Sequence, residues 1–389
     1  MTAKPQTIVL TGATGFLGSH LMAALLERGN RLIVLGRPAG SLSLAERIDA
    51  TLSWFGLHPN GLLLEPVEAD LLKPRCGLGY KHYEELCSKA GLIIHCASDT
   101  TFSDRNRSRS LAANVTSLNS IILLAADCRA SGFHYISTAY SAGIAAGICR
   151  ETPVAARHFC NVYEETKAMA ERRVAEGCNA YGIPFTIIRP SIVYGDSRSG
   201  RANRFTAIYH HVRALATIRD IYRSDILNNG GKKSTPHGIS LNVKGILHLP
   251  LRLTLEKPGT INLVPVEYFV AAALAIMENC TGDAIYHLTN PAPGTVEELA
   301  GFCSRFLQID GLQIDYGSES SREYSPAEEL FNRFIEPYRP YLSDGRLFER
   351  ENTDRATAGL QPPIFSYDIF RRCMDYAVGV DWGRNLTGA

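Results

Sequence analysis

A short apolar run, Thr7–Leu10, opens directly into Thr11-Gly12-Ala13-Thr14-Gly15-Phe16-Leu17-Gly18. Apolar residues Leu17, Leu21, Ala24 and Leu25 then recur at helical spacing until Gly29-Asn30 closes the segment. Strand, glycine turn and amphipathic helix in that order restrict what this chain can fold into more than any other feature of its 389 residues. Gly12 permits a tight turn, Gly15 lets the backbone approach a pyrophosphate, and Gly18 lets the helix pack closely on the strand. Phosphates then sit at the helix N-terminus, where free N–H groups and the helix dipole favour an anion. Thr14, Phe16 and Leu17 line the same turn.

Strand-like and helix-like segments continue to alternate. Arg31–Leu35, Leu92–His95, Phe133–Ile136 and Phe185–Ile188 read as strands, and a helical pattern covers Leu111–Cys128. The pattern predicts an α/β fold with a parallel, doubly wound sheet. After Gly195 it changes. Asp196–Arg204 is a polar Gly/Ser/Arg-rich loop, and Asn228–Ser240 reads as a mobile surface loop. Regular elements resume at Ile261–Met277, and the last hundred residues mix short helices with proline turns. The expected division is a cofactor-binding domain over 1–198, with 259–290 returning to it, and a smaller, mostly helical substrate domain over 199–389.

With 40 basic and 39 acidic residues the chain lacks the charge of a nucleic-acid binder. No apolar run approaches the ~20 residues of a membrane span, and Met1–Thr7 has no signal-peptide core. The ten cysteines form no CxxC pair and have no histidine cluster beside them. They read as reduced thiols in a cytoplasmic protein, with no metal site.

The second strand ends in Leu35-Gly36-Arg37. An acid here would hold a ribose 2′-hydroxyl, whereas a guanidinium suits a 2′-phosphate. Arg47, on the following helix, offers a second contact, so the expected cofactor is NADP(H). Asp70 reads either as an acceptor for the adenine amino group or as a helix cap. Tyr163 and Lys167 lie four apart, which on a helix places them on one face. A nearby ammonium favours the phenolate, so Lys167 is expected to lower the tyrosine pKa and fit it for proton transfer at a carbonyl oxygen. The strand Phe133–Ile136 ends in Ser137-Thr138, which puts a hydroxyl where a doubly wound sheet faces its ligand crevice.

Together Thr11–Gly18, Ser137-Thr138, Tyr163–Lys167 and Arg189-Pro190-Ser191-Ile192-Val193-Tyr194-Gly195 resemble the extended short-chain dehydrogenase/reductase superfamily. The resemblance implies a Rossmann domain and a triad in which Tyr163 is the general acid, Lys167 holds the nicotinamide ribose and tunes Tyr163, and Thr138 orients the carbonyl. Within that superfamily, Arg37 with Arg47, Asp70-Leu71, Cys76-Gly77-Leu78-Gly79, His95-Cys96-Ala97-Ser98, Asn114-Val115, Ile261–Tyr268 and Tyr286–Asn290 are similar to the thioester reductase and fatty acyl-CoA reductase branch. That likeness adds Leu71, Ala97, Ser98, Asn114, Pro190, Ser191 and Val193 to the implied cofactor contacts. Glu267 stands where the branch usually has Asp.

The implied activity is NADPH-dependent reduction of an acyl thioester, carried by coenzyme A or by a phosphopantetheine carrier protein, to the aldehyde or on to the alcohol. The chain shows neither an adenylation domain nor a carrier motif, so the thioester is expected to arrive from elsewhere; the oligomeric state stays open, a monomer being one option. Arg198, Arg201 and Arg204 are expected to flank the substrate tunnel and steer an acidic carrier, with Asn228–Ser240 as a lid. The alternatives are a nucleotide-sugar epimerase or dehydratase, a ketone or hydroxysteroid dehydrogenase, and a cofactor-sensing regulator. Ala139-Tyr140 after Thr138 lacks the acidic pair a dehydratase needs, and the retained Tyr163 argues against a regulator.

Overall fold

The computed structural model describes residues 7–145, 147–279, 282–317 and 323–384. The N-terminal segment before Thr7 and Cys280 lie outside the described residues; the other nine cysteines are unpaired. Seven parallel strands form the main sheet, in the order Ala284–Leu288, Phe185–Pro190, Phe133–Ile136, Leu92–His95, Thr7–Thr11, Arg31–Gly36 and Leu64–Glu68. The doubly wound parallel sheet is therefore present. The order reverses between Thr7–Thr11 and Leu92–His95, whose carboxyl ends open the crevice where such sheets bind ligands.

The inner strands are largely apolar on both faces because helices cover both. Phe16–Glu27 and Val266–Asn279 pack on one side; Leu118–Asp127 and Val162–Tyr181 pack on the other. The helical run Asp104–Asp127 is long and apolar enough to cross a membrane by length and composition. Its Leu118, Ile121, Ile122 and Leu124 are buried against the sheet, which accounts for that composition.

Beyond Gly195 a second core forms around the long helix Ile208–Asn229, with helices Val296–Leu307, Pro326–Ile335 and Tyr367–Gly379. This part is not simply helical. Leu247–Leu255 and Ile309–Tyr316 pair in parallel, and Ser240–Leu241 adds an antiparallel edge. Residues 347–356 return to the main sheet: Leu347 pairs with Ile148, and helix Glu351–Ala356 packs on Ala284–Leu288. There the Glu151 carboxylate accepts from the His287 backbone N–H at 2.7 Å and from the Thr353 hydroxyl at 2.6 Å.

The segment Asn228–Ser240 is pinned rather than free. The Asp225 carboxylate accepts from the Lys233 and Ser234 backbone N–H groups, both at 2.9 Å, and from the Ser234 hydroxyl at 2.7 Å. Ser234 is fully buried, and Asp225 closes this turn much as a cap closes a helix, which removes the basis for a lid.

Candidate functional site

The glycine turn is built as its sequence requires. Gly12 has φ +73°, and a side chain there would meet the Ala97 backbone N at 2.6 Å. The loop after Leu92–His95 thus lies directly against the turn. A Cβ at Gly18 would come within 2.1 Å of the Gly12 carbonyl oxygen, so only glycine lets the helix start under the turn. Gly15 precedes Phe16–Glu27 with no side chain to cap it, leaving the first helical N–H groups open to an anion. Thr11 holds the two loops together: its hydroxyl accepts from the Cys96 and Ala97 N–H groups, both at 3.2 Å, and lies 2.9 Å from His95 Nδ1. This cradle fits a dinucleotide pyrophosphate. Gly18→Ala should destabilise the fold by about 1–3 kcal/mol or more and abolish cofactor binding. Gly79→Ala, where nothing lies within 4 Å, should be silent in the same thermal melts and cofactor titrations.

Three guanidinium groups gather beside the cradle. Arg47 donates to the Arg37 carbonyl and to the Thr14 hydroxyl, both at 2.6 Å, which fixes it against the glycine turn. Burial, then the charges of Arg204 and Arg37, push the Arg47 guanidinium below the usual arginine range. Among the described residues no carboxylate pairs with Arg37, Arg47 or Arg204, so the cluster is uncompensated and suits a phosphate. Arg204 therefore lies on the cofactor side. Arg201 does too: it donates to the Trp54 carbonyl at 2.6 Å and stacks over the Trp54 ring at 4.6 Å. Arg198 is exposed and turns back toward Asp196 at 3.8 Å. The expected arginine rim around the substrate tunnel is not formed, because Asn203, bonded to Ser19 at 2.9 Å, and Arg201 tie this segment to the first two helices.

The other residues expected to contact the cofactor are each held by local bonds. Asp70 accepts from the Leu72 N–H at 3.1 Å, closing the turn that carries Leu71 at the edge of the core. Asn114 is buried, with its amide bound to Ser98, to the Asp99 backbone and to Thr166. It clamps the Ala97-Ser98 loop to the helix that carries Tyr163. Pro190 accepts from Thr138, and the Ser191 hydroxyl is buried with no partner among the described residues. Val193 pairs with Val264 in a short parallel ladder beneath it.

Tyr163 and Lys167 lie on helix Val162–Tyr181, capped by Asn161, and Thr138 ends the strand Phe133–Ile136. Thr138 hydrogen-bonds Tyr163, which favours the phenolate, but burial outweighs it and holds the phenol up at about 12. Lys167 does not oppose that rise. Its ammonium turns into the sheet, donating to the Ile136 carbonyl at 2.7 Å and to the Tyr135 hydroxyl at 3.1 Å. The expectation that Lys167 lowers the Tyr163 pKa is thus corrected: they share a helix face, yet the ammonium is engaged elsewhere. Burial brings Lys167 itself down to about 8.

Several residues around the site were not anticipated from the sequence. Phe102 packs over Tyr163 with ring centroids 5.8 Å apart, and Tyr338, edge-on, and Tyr341, tilted, pack against Phe102 in turn. Tyr140, shortly after Thr138, faces Tyr341 at 5.1 Å. Nothing in the local pattern marks this aromatic wall, since its members come from distant parts of the chain. Ser137 does not face the crevice; it donates to buried Glu171 at 2.5 Å, beside the Glu171–Arg189 ion pair at 2.6 Å. Glu267 takes up the Ser197 backbone N–H at 3.2 Å and the Ser197 hydroxyl, anchoring the chain where it leaves the sheet.

Comparison with known proteins adds to this geometry. The terminal R domain from the myxalamid PKS-NRPS biosynthetic pathway matches with a TM-score of 0.75 at 22% identity, covering 99% of this chain and 93% of that one. A reductase domain of a nonribosomal peptide synthetase from Mycobacterium tuberculosis matches with a TM-score of 0.70 at 19% identity, covering 97% and 93%. These are likenesses of fold. By sequence, an isonitrile lipopeptide synthase from Streptomyces coeruleorubidus is 30% identical over 218 residues, 54% of this chain and 15% of that protein. A linear gramicidin synthase from Brevibacillus parabrevis is 24% identical over 95% of this chain and 7% of that protein. Human fatty acyl-CoA reductase 2 is 28% identical over 48% of this chain and 43% of that one. The chain thus corresponds to a small part of the synthases and under half of the reductase. The family model described as male sterility protein, named for NAD binding, matches residues 10–273, more than half of the chain, and on that match the chain belongs to the male sterility protein family.

Proposed function

We propose that this chain reduces acyl thioesters to aldehydes with NADPH, the thiol being a phosphopantetheine carrier or coenzyme A. The observation that carries the reading is the Thr138–Tyr163 hydroxyl pair at the mouth of a dinucleotide crevice. The names of its relatives, reductase domains of peptide synthetases and a fatty acyl-CoA reductase, support the thioester. In this reading residues 1–198 with 259–290 form the cofactor-binding part, the rest shapes the substrate site, and the protein works in the cytoplasm.

The cradle of Gly12, Thr14, Gly15 and Gly18 would hold the pyrophosphate. Lys167 would reach the ribose. A reduced nicotinamide held there would supply hydride to the thioester carbonyl carbon. Thr138 and Tyr163 donate hydrogen bonds to the oxygen as its charge develops. Tyr163 Oη then passes its proton to that oxygen, giving a hemithioacetal, and collapse of the C–S bond releases thiol and aldehyde. A phenol held near 12 is protonated at every physiological pH, which suits an acid that must be loaded before hydride arrives.

The test is NADPH oxidation against acyl thioesters, free ketones and a nucleotide sugar, with product identification. An aldehyde from the thioester alone is the expected result; turnover of the ketone or sugar alone overturns the reading. For cofactor choice, Arg37→Ala should cost NADPH about tenfold or more in affinity, the scale of one charged hydrogen bond, and leave NADH binding unchanged. Equal losses for both would remove the 2′-phosphate assignment.

A further inference from the structure

Lys167 is an ammonium set almost wholly inside the protein, 2% exposed, and no carboxylate lies within ion-pair distance of it among the described residues. Its hydrogen-bond acceptors are the Ile136 carbonyl at 2.7 Å and the Tyr135 hydroxyl at 3.1 Å. The Tyr135 ring also lies beneath it, with Nζ 4.6 Å from the centroid. Tyr135 is 1% exposed and is stacked in turn on His95, with centroids 5.9 Å apart, so it cannot swing away. An unpaired buried ammonium survives only where acceptors and a π face replace its water.

Of the other titratable groups around this ammonium, Cys96 and Glu171 favour its charge, and neither forms an ion pair with it among the described residues. His95 and Cys96, from the neighbouring strand end, are both neutral at physiological pH: burial takes His95 down to about 3 and Cys96 up to about 11. Glu171, one turn along the helix, is engaged by Arg189, Ser137 and Ser141. Tyr163 is protonated.

We propose that Tyr135 is a positioning residue for Lys167: its hydroxyl and ring hold the buried ammonium in place and charged, so that it can serve a bound cofactor. The inference rests on the reading above that Lys167 serves a bound cofactor, and it names a residue which that reading does not use.

The experiment compares wild type with Tyr135→Phe, which keeps the ring and removes one acceptor. NADPH affinity is followed by cofactor fluorescence from pH 5.5 to 9.5 for each protein, titration of the ligand being common to all. Wild-type affinity should fall above about pH 8, where Lys167 loses its proton. Loss of one charged hydrogen bond should move that fall about one to two pH units lower. Lys167→Met should abolish the pH dependence. Because the position of the fall is read, not its height, a partly destabilised variant still reports. A fall at the wild-type pH, or an equal loss at every pH, overturns the proposal. Thioester turnover by Tyr163→Phe separates the two ideas: full activity there overturns the reductase reading, whereas an inactive Tyr163→Phe with an unmoved Tyr135→Phe profile overturns only the role of Tyr135.

Discussion

Tyr163→Phe should lower thioester turnover by about 10²–10⁴-fold, the usual contribution of a positioned general acid, while NADPH binding stays close to wild type. The phenyl ring keeps its place against Phe102, so the aromatic wall survives and only the proton donor is lost. Thr138→Val should be milder, because it removes one donor to the oxyanion and leaves the acid. The effect should appear in kcat with a single-turnover hydride step slowed to match. If Tyr163→Phe turned over at near the wild-type rate, the proton would have to come from another group. The pH profile offers a second check. With Tyr163 held near 12, its own titration should not shape turnover below that pH, and any alkaline fall near 8 belongs to Lys167.

The second large effect is structural. Arg189 is 1% exposed and lies beneath the crevice, paired with Glu171 at 2.6 Å and bound to the Thr152 carbonyl at 3.0 Å. Glu171 also accepts from Ser137 at 2.5 Å and Ser141 at 2.8 Å, so the network supports the strand end that presents Thr138. Arg189→Met should destabilise the protein by about 3–5 kcal/mol, because it strands a carboxylate in the interior without its counter-charge. Replacing both partners, Arg189→Met with Glu171→Leu, should recover part of that loss, since no uncompensated charge is left. Urea unfolding measures both. A single variant within about 1 kcal/mol of wild type would mean that Glu171 reaches water or sheds its charge on its own.

The features legible in the sequence are those that short stretches of chain decide. The glycine turn is one, because φ +73° at Gly12 and the 2.1 Å approach at Gly18 exclude other residues whatever the rest of the chain does. The strands and helices of the main sheet are another, since fully apolar runs such as Leu92–Ile94 need helices on both faces. Thr138 at a strand end and Tyr163 and Lys167 one turn apart on a helix follow from the same local geometry. One signal of this kind is present but masked: Leu247, Leu249, Leu251, Leu253 and Leu255 alternate as a strand should, obscured by Pro250 and the register shift between His248 and Leu251.

The rest was decided by where distant segments meet. Sequence spacing puts Lys167 beside Tyr163, but the packing of its helix on Phe133–Ile136 turns the ammonium toward Tyr135 and Ile136. Charge patterning groups Arg198, Arg201 and Arg204, but contacts with Trp54 and Ser19 carry the loop to the cofactor side. The wall over Tyr163 needs Tyr341, whose hydroxyl bonds Asn161 from 180 residues away. No local window holds such information, because periodicity and backbone preference fix which face of an element is buried, while burial itself, and with it every pKa and ion pair in this site, depends on which other element comes to cover that face.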